Sequence, residues 1–354
     1  MSTRVEGWDE QGTPGLDVAG LTSWLAETHP ELMHRPLSAT IIAGGKSNLT
    51  YAIDGAHIPL VLRRPPLGHV LSSAHDMRRE HRVLSALADS AVPVPRVIDV
   101  DDDRVRERVT GTIFLLMERV PGQVLTTSAQ NAPYSAGGLR ALSLDLAHRL
   151  ADLHAIDPES VGLGGFGRPE GYLVRQLSTW QRQLESSRSR STPALDELQL
   201  ALSRGLPAAS RAGIVHGDYR LDNALVVDDG DVPRISAILD WEMATLGDPL
   251  VDLGMLAVYW DIGRMPGGVA DVVPSAVDPR VGYLLFDEVA DAYAEQTRMP
   301  LPDLRWYRAF GAYKLAVILE GIHFRFRTGG TVGAGFDQVG AIVEPIARHG
   351  LEEY

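Results

Sequence analysis

The chain has no cysteine among its 354 residues, which excludes disulfides, thiolate metal sites and cysteine nucleophiles. It has no apolar run near the length needed to span a bilayer, and it does not open like a signal peptide. A soluble, cytoplasmic protein without membrane association is expected. Neither repeats nor low-complexity tracts occur. Lysine is almost missing: Lys46 and Lys314 are the only two, and the other basic residues are arginines. Lys and Arg together number 33 against 46 Asp and Glu, a formal charge of −13, which argues against a general nucleic-acid binder. That excess of acid would suit a cationic substrate, and it is equally an ordinary soluble surface. With 45% hydrophobic and 22% charged residues, the chain reads as globular and long enough for a bilobal unit with a substantial core.

Residues 214–252 concentrate the chemistry: IVHGDYRLDNALVVDDGDVPRISAILDWEMATLGDPLVD. His216-Gly217-Asp218 is followed five positions later by Asn223, and two apolar runs lead to Asp240. Leu225-Val226-Val227 and residues 235–239 read as two strands joined by the polar turn Asp228-Asp229-Gly230-Asp231. Such a hairpin carries Asn223 and Asp240 towards one end. Asp and Asn are also common turn residues that make only local hydrogen bonds, so the combination matters more than any member. Phosphoryl transfer asks little of a protein: a carboxylate to orient the acceptor hydroxyl, and an amide and a carboxylate to hold magnesium on the phosphates. Asp218, Asn223 and Asp240 can supply those groups. Magnesium takes oxygen ligands and needs no cysteine.

HGDYRLDN followed by ILDWEMATLGDPLVDLG resembles the aminoglycoside/choline phosphotransferase family. The wording is nearest the subgroup related to the kinase-like domain that accompanies acyl-CoA dehydrogenase domains. The resemblance implies an α+β, bilobal, protein-kinase-like fold. A small N-terminal lobe with an antiparallel sheet would bind nucleotide (residues 1–120), and a larger, mainly helical lobe (121–354) would hold the catalytic and acceptor groups. By the family's pattern Asp218 is the catalytic base, Asn223 binds magnesium, and Asp240 replaces the Asp of the protein-kinase DFG segment. HGD in place of HRD, and no recognisable DFG or APE, count against a protein kinase.

Along the chain, residues 16–28 read as an amphipathic helix. Strands are expected at 37–42, 49–53 and 58–63. Between the first two lie Gly44-Gly45-Lys46-Ser47-Asn48, where backbone N–H groups can approach phosphate closely. Gly45, Lys46 and Ser47 are candidate phosphate contacts, although a plain hairpin turn reads the same. Alternation sets Val61 and Arg63 on one face of the third strand, with Leu60, Leu62 and Arg64 on the other. Arg63 stands where the wider family has a phosphate-binding Lys, and Arg is usual in the subgroup. A helix over 72–89 carries Glu80 where a kinase helix presents a Glu to the strand cation. Further strands are expected at 97–100 and 112–117, split by the acidic turn Asp101-Asp102-Asp103. Met117-Glu118-Arg119-Val120 then looks like the hinge, where the fold places adenine against backbone groups, so Glu118 and Val120 complete the nucleotide-binding set.

Helices are expected at 135–156, 171–187, 193–204, from Pro249 to 260, and at 281–297, 303–327 and 334–348. His154 reads as buried or capping, Asp248 as a helix cap or a neighbour of the magnesium site. Arg220 either touches substrate or pairs with a nearby carboxylate. The expected activity is ATP- and magnesium-dependent phosphorylation of a small-molecule hydroxyl. The subgroup resemblance points to a hydroxyacyl-CoA or related metabolite, and to a functional link with an acyl-CoA dehydrogenase. Two other readings stay open. One is an antibiotic kinase of the aminoglycoside type, which would want an acidic acceptor pocket. The other is a silent nucleotide- or acyl-CoA-binding module, motivated by Arg63 in place of Lys.

Overall fold

The computed structural model describes residues 13–42, 48–67, 77–100, 105–208, 211–230, 232–329 and 335–354. Gly45, Lys46, Ser47, Asp231 and the turn Asp101-Asp102-Asp103 lie outside the described residues. The chain divides into two compact units, residues 1–121 and 122–354.

In the first unit, β1 (Met33–Ile41), β2 (Leu49–Ala56), β3 (Leu60–Arg64), β4 (Val97–Val100) and β5 (Leu115–Glu118) form one antiparallel sheet in the order β1-β2-β3-β5-β4. Three helices accompany it: α1 (Val18–Thr28), α2 (Met77–Leu87) and the short α3 (Arg106–Val109). Asp17 accepts the Gly20 N–H at 2.8 Å and so starts α1 at Val18, two residues later than apolar spacing alone suggests. Leu21, Trp24 and Leu25 of α1 pack with Tyr51, Ile53, Leu60, Leu62 and Leu116 of the sheet and with Phe114 just before β5. The helix α3 was not expected, because four residues carry no readable period.

The two adjacent arginines of β3 part as strand alternation requires. Arg64 is buried and donates to the carbonyls of Gly15 at 2.6 Å and Thr110 at 2.8 Å. Arg63 faces the other way, to α2.

The second unit is mainly helical: α4 (Ala136–Ala155), α5 (Tyr172–Ser187), α6 (Pro193–Arg204), α7 (Leu250–Asp261), α8 (Val269–Val272), α9 (Phe286–Thr297), α10 (Arg305–Arg327) and α11 (Val339–Glu353). Leu139, Leu142, Leu146, Leu150 and Leu153 of α4 are all buried, as their spacing on one face predicts. Two small antiparallel ladders complete it. β6 (Gly213–Val215) pairs with β9 (Thr245–Gly247), and β7 (Ala224–Asp229) pairs with β8 (Val232–Ile238). The β6–β9 ladder was not expected, since three-residue strands are too short to show alternation.

Several helix boundaries differ from the sequence reading; the last helix, for one, starts at Val339 against the expected 334. The helix expected from 281 begins at Phe286, because Pro279–Val281 forms a 3-10 turn and Gly282 takes a φ of +134° that ends it. The last helix runs to Glu353, beyond the expected 348. Its buried Ile342, Val343, Ile346, Ala347 and Gly350 sustain it through Pro345 by packing rather than by local propensity. Among the described residues no helix is long and apolar enough to cross a membrane.

Candidate active site

The β7–β8 register sets the geometry. Ala224 pairs with Ile238, and the Leu239 N–H donates to the Asn223 carbonyl at 2.8 Å. Asn223 and Asp240 therefore leave the ladder side by side at its open end. Asn223 closes a 3-10 turn, Leu221–Asn223, and is buried. Its Nδ2 donates to the Asp218 carbonyl at 2.8 Å and to Asp218 Oδ2 at 2.9 Å. Both amide hydrogens are thus committed to Asp218, which leaves Oδ1 as the end chemically suited to a cation. Asp240 sits at φ 65°, ψ 61°, a left-handed conformation uncommon for a residue with a Cβ and frequent at functional sites.

His216 joins the loop to the hairpin. It is wholly buried, its Nε2 donates to the Leu239 carbonyl at 2.9 Å, and its Nδ1 accepts the Asp218 N–H at 3.2 Å. With both ring nitrogens held by backbone, the imidazole is a brace. Gly217 has a φ of +88°, and a Cβ there would lie 2.8 Å from the Met243 carbonyl oxygen, so only glycine fits.

Beneath the loop lies Asp252 of α7, with no exposed surface. Its carboxylate accepts the His216 N–H at 2.7 Å, the Gly217 N–H at 2.8 Å and His154 Nε2–H at 3.2 Å. Burial raises its pKa, but the His154 bond, the two nearby imidazoles and the Gly217 amide outweigh it and hold Asp252 below the ordinary carboxylate value. His154 Nδ1 takes the Tyr293 hydroxyl at 2.9 Å, and burial pushes its pKa down. The His154 Nε2–H thus donates to the Asp252 carboxylate inside the unit. Asp248 accepts the Leu250 N–H at 3.1 Å and the Tyr307 hydroxyl at 2.8 Å, while the N-cap of α7 is Pro249.

Arg220 pairs with carboxylates. Its Nε lies 3.4 Å from Asp218 Oδ2, its Nη1 3.1 Å from Asp222 Oδ2, and its guanidinium stacks 4.4 Å over Tyr259. A small cleft of about 20 Å³, room for roughly one water, borders this group, lined by Leu221, Asp222, Tyr259, Trp260, Pro274 and Val277 among others. Asp222 is the one carboxylate among the described residues of its wall.

In the first unit, Arg63 of β3 forms an ion pair with Glu80 of α2. Glu80 is only 2% exposed, so its charge is matched inside the unit. Glu118, the last residue of β5, stands opposite Leu60 and pairs with Arg96 at 3.1 Å. Val120 follows it, half-buried. Gly45, Lys46 and Ser47 lie outside the described residues.

Asp261, His349 and Glu353 form another cluster with ligating atoms within 4.8 Å of one another. Arg308 reaches Asp261 at 3.4 Å and Glu353 at 2.7 Å, so those carboxylates are neutralised by protein.

Comparison with known proteins gives the chain a family. The model of the phosphotransferase enzyme family (APH) matches residues 38–310. The chain belongs to that family. Mouse acyl-CoA dehydrogenase family member 10 is 33% identical over 316 residues, 86% of this chain and 28% of the relative, so the chain spans less than a third of that protein. A Ralstonia eutropha JMP134 protein described provisionally as an aminoglycoside phosphotransferase superposes with a TM-score of 0.80 at 30% identity, covering 96% of this chain and 98% of the other. A thermostable mutant of aminoglycoside phosphotransferase APH(4)-Ia, crystallised with AMP-PNP and hygromycin B, shares the fold at a TM-score of 0.59 and 18% identity, covering 94% and 98%. The kinase-like α+β fold and the kinship with the acyl-CoA dehydrogenase-linked subgroup follow as the resemblance implied.

Sequence reasoning gave Asp252 only a place at the start of a helix and gave Lys314 no role at the site. Each had a signal: a charged residue inside an otherwise apolar helical run, LVDLGMLA and GAYKLAV.

Proposed function

We propose that the chain is an ATP- and magnesium-dependent small-molecule kinase that phosphorylates a hydroxyl, with a hydroxyacyl-CoA or related metabolite as the acceptor class. The observation that carries the reading is the clamp of Asn223 on Asp218 at the hairpin end shared with Asp240. Asn223 Oδ1 and the Asp240 carboxylate are hard oxygen donors, the set magnesium takes. They would hold the ion, which when bound supplies charge neutralisation on the phosphates. Asp218 orients the acceptor hydroxyl and takes its proton as the bond from that oxygen to the γ-phosphorus forms and the bond from that phosphorus to the bridging oxygen breaks, with ADP leaving. Asn223 keeps the Asp218 carboxylate in place. In the first unit Arg63, held by Glu80, would meet phosphate charge; Glu118 and Val120 would flank adenine through their backbone.

A wall with Asp222 as its one carboxylate, beside Leu221, Tyr259 and Trp260, supports an acceptor other than a polycation. The kinship with acyl-CoA dehydrogenase-linked relatives supports an acyl thioester and a functional link to such a dehydrogenase. The test is ADP release with Mg-ATP across hydroxyacyl-CoAs, aminoglycosides, choline, sugars and homoserine, with Asp218→Ala as control. Turnover confined to hydroxyacyl-CoAs and abolished in the variant is expected. Turnover with an aminoglycoside alone would replace the acceptor. Nucleotide binding without turnover would favour a silent binding module, the reading that Arg63 in place of Lys motivates.

A further inference from the structure

In a chain that writes nearly every cation as arginine, one of two lysines is buried under the catalytic loop. Lys314 of α10 is 5% exposed. Its Nζ donates to the Gly217 carbonyl and lies 5.3 Å from the Trp180 ring centre. The peptide that joins Gly217 to Asp218 is thereby held at both its oxygen and its N–H, and the peptide before it is held at its N–H. Asp252 accepts the Gly217 N–H, Lys314 donates to the Gly217 oxygen, and His216 Nδ1 accepts the Asp218 N–H. Desolvating an ammonium is costly unless anions compensate. Burial lowers the Lys314 pKa, while the charges of Asp218 and Asp252 oppose that fall. An apolar side chain would fill the space without that cost, so the charge and the donor are what the position uses.

We propose that Lys314 is a positioning residue for phosphoryl transfer: by fixing the Gly217 carbonyl and balancing the anions around it, it sets the orientation of the Asp218 carboxylate. This rests on the kinase reading above. Lys314 touches no reacting atom in this scheme, so its removal lowers the chemical step and spares nucleotide binding.

The experiment compares wild type with Lys314→Met and Lys314→Arg by two readouts. The first is amide hydrogen exchange of His216, Gly217 and Asp218 relative to α10. In Lys314→Met these amides are expected to exchange at least about tenfold faster while α10 is unchanged. The second is ADP release: kcat is expected to fall at least about 30-fold with the KM for Mg-ATP within about threefold of wild type. Lys314→Arg keeps a donor and the charge and recovers part of kcat. A side chain that merely fills space gives the opposite order, with Met equal to wild type and Arg worse. Should Lys314→Met not fold, Lys314→Gln takes its place under the same criteria. Unchanged exchange, unchanged kcat, or a loss confined to KM overturns the proposal. If wild type releases no ADP with any acceptor, the kinase reading fails, and exchange alone then decides whether Lys314 pins the loop.

Discussion

Asn223 gives both of its amide hydrogens to Asp218, one to the backbone carbonyl at 2.8 Å and one to the carboxylate at 2.9 Å. The bond to the carboxylate is charge-assisted and fixes a side chain that would otherwise rotate about two torsions. It also orients the amide, because an Asn that donates at one end presents only oxygen at the other. One residue thereby ties the proposed base to the proposed metal site.

That link predicts a paired loss. Asn223→Ala should lower kcat for ADP release by on the order of 100-fold, and it should raise the magnesium concentration needed for half-maximal rate. Steady-state kinetics over a magnesium titration checks both. A fall in kcat without any change in magnesium dependence would remove Asn223 from the metal site and leave it a support for Asp218.

Asp240 should separate stability from function. Its left-handed backbone costs a residue with a Cβ about 1 kcal/mol or more, a cost glycine does not incur. Asp240→Gly is therefore expected to keep or raise the melting temperature while abolishing magnesium-dependent ATP binding. Calorimetric titration of ATP with and without magnesium, beside a thermal melt, reads the two effects. A variant that melts earlier and binds normally would make Asp240 a structural turn.

The Arg63–Glu80 pair is mostly enclosed, with side-chain exposures of 13% and 2%. Breaking such a pair by removing one partner leaves a charge without its match and costs roughly 3 kcal/mol. Glu80→Ala should lower the melting temperature and weaken ATP binding together, since Arg63 then loses its anchor. ATP affinity that survives the substitution would exclude Arg63 as a phosphate contact.

Acid should destabilise the fold from near neutrality. Burial holds the folded-state pKa of His154 below 6.5, so below pH 6.5 the unfolded chain binds the extra proton and stability falls with falling pH. Asp252, held below 3.8, adds a loss of the same sign only at much lower pH. Urea midpoints between pH 8 and 5 should therefore decline below about 6.5, less steeply in His154→Gln. His81 and His323 are lowered by burial too, so the slope shrinks without vanishing.

Much of this molecule could be read in one dimension because its signals are local. The leucine face of α4, the alternation of β3 that separates Arg63 from Arg64, and the hairpin after Asn223 each follow from periods of 3.6 or 2 within a short window. Where the window held too few residues, the reading stopped: α3 and the β6–β9 ladder are three or four residues long. Where packing sustained an element past its local preference, as in α11 beyond residue 348, the boundary moved.

The sequence by itself determined which residue types stand at which spacing, hence the family, the fold class, and Asp218, Asn223 and Asp240 as a set. Only the tertiary structure decided what braces that set. Asp252 is 34 positions from Asp218 and Lys314 is 96 beyond it, yet both close on the backbone of Gly217. Such contacts are made by helices that meet through their apolar faces. Nothing in the spacing of a buried charge names the distant peptide whose hydrogen bond it will satisfy.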